Sequence, residues 1–193
     1  LLAPAAGAEN LELKTGTVLQ GDILEVAQDQ VVLSIEGATM VIKMADLAPY
    51  QAYRLRSKRV KENDAAGRIA LAEFCRENQL WPQARAEYER ALALDPALDA
   101  RVQPALGQVA QGEADGWLQR GKTALTEARL DDALKQCQLL LSRYADLPQA
   151  QEAKTLLADT TAALRRRNEE KEKQLRALQE QKAGKGEEAL AAR

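Results

Sequence analysis

Hydrophobic and polar positions change their period twice along this chain. Early apolar residues fall in short runs of period two: Leu11 and Leu13; Val18, Ile23 and Leu24; Val32, Leu33 and Ile35; Met40, Val41, Ile42 and Met44. Turn signals separate the runs at Thr15-Gly16, Gln28-Asp29-Gln30 and Glu36-Gly37. The pattern predicts four or five short strands over 9–50, as a small, strongly bent sheet or antiparallel β-barrel, and of the two the barrel is expected. Gly21, inside VLQGDIL, is expected where a second backbone comes close.

Over 63–164 the period becomes helical. Asn63-Asp64 caps a helix from Ala65 to about Asn78, and Pro82 opens the next where its missing N–H costs nothing. Ile69, Leu71, Ala72 and Phe74 or Cys75 line the inner side of the first helix. Ala84, Tyr88 and Ala91 line that of the second, and Pro96 stops it. A second hairpin is expected from Trp117, because Gly121 precedes Ala133 by the same twelve residues that separate Ala72 from Ala84. Between the two, Leu98, Val102, Leu106 and Val109 predict an inserted helix, kinked at Pro104. The last helix is expected from near Pro148, with Ala153, Leu156, Leu157 and Leu164 as its apolar face.

Beyond Arg165 that face gives way to charge pairs four apart, such as Arg165–Glu169 and Glu169–Lys173. Leu164, Leu175 and Leu178 are too few for a coiled coil, so 165–193 reads as a projecting charged helix with an unordered close. The fold class is therefore α+β in two parts. A small barrel (9–50) and a basic linker (51–62) lead to helical hairpins (63–164) and the charged helix.

The string LAEFCRENQLWPQARAEYERALALDP, with Ala72, Ala84, Tyr88, Ala91 and Pro96 in place, resembles a tetratricopeptide repeat. The resemblance implies a protein-binding helical stack that performs no chemistry. It places the partner groove on the first helix of each pair, at Ile69, Glu73, Arg76 and Glu77, and at Leu118, Lys122 and Leu125. The Lys, Asn and Arg set by which some of these repeats clamp carboxylates is mostly missing. The string LKTGTVLQGDILEVAQDQVVLSIEGATMVIKMADL resembles SH3-like and Sm-like small barrels. Sm-type RNA pockets would need an Asp-x-x-Asn loop and an Arg-Gly turn, where this chain reads Asp29-Gln30-Val31-Val32 and Lys43-Met44-Ala45.

Charge separates the remaining readings. The chain carries 27 basic and 29 acidic residues, which gives no overall reason to expect nucleic acid. From Glu9 to Tyr50 there are seven acids against Lys14 and Lys43, the wrong sign for phosphate. The linker carries Arg54, Arg56, Lys58, Arg59 and Lys61 with no acid among them. Such a run suits anionic lipid, nucleic acid or an acidic partner, and equally a solvated face that balances the acidic barrel.

There is no histidine, no Gly-rich phosphate loop and no nucleophile elbow, so the expectation is a non-enzyme without metal or cofactor. Cys75 and Cys137 both fall on apolar helix faces, as small buried hydrophobes or as a disulfide in an oxidising compartment. Ala6-Gly7-Ala8 before Glu9 matches the end of a secretory signal, with an Ala/Pro-rich linker as the other reading of 1–8. The expected function is a scaffold or adaptor exported to the periplasm, holding other proteins in a multi-subunit envelope complex. The alternative is a cytoplasmic nucleic-acid-associated protein that uses the barrel and the basic linker.

Overall fold

A computed structural model of the chain describes residues 9–191, with side chains described as far as Lys182. The expected signal remnant, 1–8, lies outside the described residues. The chain divides into two compact units at Gly112/Glu113, and each is described by itself.

The first unit opens with four antiparallel strands in the order β1-β2-β3-β4: β1 (Glu9–Glu12), β2 (Val18–Val26), β3 (Gln30–Ile35) and β4 (Ala38–Lys43). Glu36 and Gly37, at φ 50° and 85°, form the two-residue turn between β3 and β4. At Gly21 a methyl group would overlap the Ser34 carbonyl oxygen, which is the close approach its position predicted. The β2–β3 register shifts between Ile23 and Glu25, leaving Leu24 in a bulge.

The sheet is not a closed barrel, and this corrects the expectation. After β4 a 3-10 turn (Met44–Asp46) leads into a helix instead of a full fifth strand. The two ends of the sheet meet only where Lys14 N–H donates to Asp46 O (2.9 Å), Ala48 N–H donates to Glu12 O (2.8 Å), and Leu13 bridges Leu47.

That helix, α1 (Pro49–Ser57), occupies most of the segment read as a basic linker. Period-two reasoning missed it because its aliphatic core residues are only Ala52 and Leu55. Both are buried with Leu11, Val31, Leu33, Ile42, Met44 and Leu47, so α1 covers the open sheet. Burying one such leucine contributes roughly 1.5–3 kcal/mol. Arg54 and Arg56 fall in its last turn, the end where positive charge is favourable.

Helices α2 (Ala65–Glu77) and α3 (Trp81–Leu94) form the predicted hairpin. Asp64 caps α2 by accepting from Gly67 N–H at 2.8 Å. Ala72, Ala84 and Ala91 are fully buried, with Cys75 and Tyr88 beside them. Helix α4 (Asp99–Thr126) is one continuous helix where an inserted helix and a separate hairpin arm were expected. Val102, Val109, Ala114, Leu118 and Ala124 stay buried along its length, so no apolar gap breaks it. Pro104 is exposed near its start.

In the second unit, α5 (Leu130–Arg143) and α6 (Gln149–Ala191) pack with the end of α4 around Ala114, Leu118, Cys137, Leu140, Ala150, Ala153 and Leu156. A methyl at Gly121 would stand 3.0 Å from Leu156 Cδ2, so glycine lets these helices close. From Asn168 to Lys182 every residue of α6 is exposed, and the helix continues to Ala191 through the stretch expected to be unordered. Both cysteines are buried and free.

Candidate functional site

The most built polar depression of the first unit lies where the start of α4 crosses α2 and α3. Its floor is Ile69, Tyr88, Val102 and Ala105, and its rim is Glu73, Arg76, Arg101 and Gln108, around about 200 Å³. Arg101 Nη2 donates to Glu73 Oε1 at 3.2 Å, and the Arg76 guanidinium donates to the Gln108 side-chain carbonyl. Tyr88 is 2% exposed, and its buried hydroxyl has no hydrogen-bond partner among the described residues. Burial raises the Tyr88 phenol pKa above its ordinary value, while Arg76 and Arg101 pull it down and Glu73 and Glu77 push it up. Tyr88 itself lines the depression, beside Glu73, Arg76 and Arg101. An orphaned buried hydroxyl costs about 1–3 kcal/mol, so this floor favours a group that can bond to it.

No family model, curated protein or solved structure matches the chain.

The residues expected to line a groove separate into different roles. Glu73 and Arg76 stand on the rim, Ile69 lies buried in the floor, and Glu77 is exposed beside it. On the second half of α4, Leu118 is buried in the core of the second unit and Leu125 packs against it. Lys122 pairs with Glu152 at 2.5 Å. Arg101, Gln108 and the Tyr88 hydroxyl were missed. Tyr88 reads in sequence as an inner-face residue of its helix, and the other two sit on the segment read as an inserted helix.

The basic segment turns inward over much of its length. Arg54 and Lys58 reach Glu9 at 3.5 and 3.3 Å, and Arg56 stacks on the Phe74 ring, 4.2 Å from its centre. Arg59 and Lys61 are exposed.

A buried carboxylate went unread. Glu87 is fully buried and accepts from Tyr53 Oη at 3.0 Å, Arg68 Nη1 at 3.0 Å and Arg90 Nη1 at 2.5 Å. Burial and the neighbouring Glu87 push the Tyr53 phenol up to about 12. The same two causes push the Cys75 thiol up to about 12, which leaves it without nucleophilic character near neutral pH. No group of three metal-binding side chains occurs among the described residues, and none of their helices is long and apolar enough to cross a membrane.

Proposed function

We propose that the chain is a non-enzymatic protein-binding adaptor of the bacterial envelope, engaging partners through the α2–α4 depression and through the sheet. The observation that carries this is the unpartnered Tyr88 hydroxyl under the Glu73–Arg76–Arg101–Gln108 rim. Donors and acceptors of both signs over an apolar floor suit a polypeptide segment, which brings its own amides and charges. The tetratricopeptide-like spacing of Ala72, Ala84 and Tyr88 and the SH3-like sheet belong to the same reading, as does export to the periplasm. Nucleic-acid binding is the weaker reading, because three of the five linker bases already have acidic or aromatic partners within the unit.

A photo-crosslinking amino acid at Gln108, in cells expressing the full chain, tests the adaptor reading. A defined protein adduct should form and should disappear with Arg76→Glu, while Lys171→Glu on exposed α6 leaves it intact. An adduct insensitive to Arg76→Glu would refute binding at this depression.

A further inference from the structure

Strand β4 is the last strand of the sheet and, among the described residues, pairs only with β3. Met44 N–H donates to Asp29 O at 2.7 Å, so the pairs that exchange bonds with β3 are Ile42/Val31, Met40/Leu33 and Ala38/Ile35. The N–H and C=O groups of Thr39, Val41 and Lys43 therefore point to the open edge. Proteins usually guard such an edge with proline, a bulge or several charges, and here only Lys43 does so. Every residue of β4 except Ile42 is exposed, Val41 by 58% and Met40 by 44%. On the outer face Val41 lies opposite Val32, which neighbours Leu24 at the bulge (60% exposed), so an apolar row runs across the sheet to its edge.

The surrounding charge selects the occupant. Asp22, Glu25, Asp29, Glu36 and Asp46 are exposed, and none has an ion-pair partner among the described residues. Glu36 stands at the hairpin end of β4, and Asp29 and Asp46 flank its other end. A second copy paired on this edge would bring five more unpaired acids against these, which is unfavourable. An extended basic segment meets them with the opposite sign.

We propose that the open β4 edge accepts an extended, lysine- or arginine-bearing segment of a partner protein as a fifth strand. Its backbone pairs with Thr39, Val41 and Lys43, its apolar side chains lie beside Val41 on the outer face, and its basic side chains meet the charge of Glu36, Asp29 and Asp46. This deepens the adaptor reading and rests on it for the existence of a protein partner. It shares no residue with the α2–α4 depression, so either surface can fail without the other.

The test is titration of the ¹⁵N-labelled full chain with a peptide of about ten residues alternating lysine and valine, and with its glutamate–valine counterpart. The Lys–Val peptide should shift the amides of Thr39, Val41 and Lys43 and bind at least about tenfold more tightly than the acidic one at low salt. Val41→Pro deletes one outward donor while leaving the bonds to β3, and should weaken binding about tenfold. Should that variant not fold, the surface pair Asp29→Lys with Glu36→Lys carries the test through the same loss of affinity. Shifts that miss β4, or equal response to both peptides, would overturn the proposal. Concentration-dependent broadening of these amides without peptide would do so too, by assigning the edge to a second copy.

Discussion

Glu87 shows how much one side chain can decide. Its carboxylate is out of water and holds Arg68, Arg90 and the Tyr53 hydroxyl at once. Glu87→Ala would strand the largely buried Arg68 guanidinium and release the more exposed Arg90 to water, and should cost about 3 kcal/mol in urea unfolding. Tyr88→Phe should go the other way, leaving stability unchanged or raising it by about 1 kcal/mol, because the hydroxyl it removes has no protein partner. Partner affinity should fall in the same variant, which separates binding from stability. Small residues at crossings were legible because Ala72 and Ala84 sit at a spacing that only close packing requires. Glu87 was not, since in EYERAL, two residues from Arg85 and three from Arg90, it reads as surface charge. Its burial depends on three helices that no local window contains.

At the scale of elements, caps and stops were readable and continuity was not. Asp64, Pro82 and Pro148 mark helix starts within a residue or two of α2, α3 and α6. Helix α1 escaped because two small apolar contacts suffice when the sheet supplies the rest of the core. Helix α4 was divided in two because the twelve-residue spacing of Gly121 and Ala133 sets a hairpin at Trp117 and Pro104 resembles a kink, although packing overrides such local signals. The charged run beyond Arg165 was legible as a solvated helix, and the structure leaves its side chains exposed from Asn168 to Lys182. Ending the chain after Asn168 should therefore change the unfolding free energy by less than about 0.5 kcal/mol, measured by urea titration of both forms.

For the whole molecule, the absence of histidine leaves no side chain that titrates near neutrality at its ordinary value, and raised thiol and phenol groups add sensitivity on the alkaline side. Cys75 is raised from an ordinary 9.0, and Tyr53 from 10.0, to about 12, so the folded protein holds protons that the unfolded chain releases. Their contribution is complete below about pH 9 and is lost as the pH climbs from there through 12. Urea midpoints should hold steady from pH 7 to 9 and then fall, and Cys75→Ala should make the fall above pH 9 shallower without abolishing it, because burial raises the Cys137 thiol from the same 9.0. A midpoint that stays flat to pH 11 would contradict this. Sheet and helices were legible as a two-part layout. The missing barrel closure was not, because Leu47 gives the same period whether it begins a strand or ends in one bridge.

The bonds that converge on Glu87 also bear on how the first unit comes apart. Helix α1 is covalently next to the sheet, yet its Tyr53 is tied to a carboxylate on α3 that α2 helps to neutralise. Opening α1 alone would remove one bond from a buried charge, so α1 gains by opening together with the hairpin. Amide hydrogens of α1 should then exchange with solvent at the free energy of α2 and α3. The cooperative unit is drawn by one buried carboxylate instead of by the order of the chain.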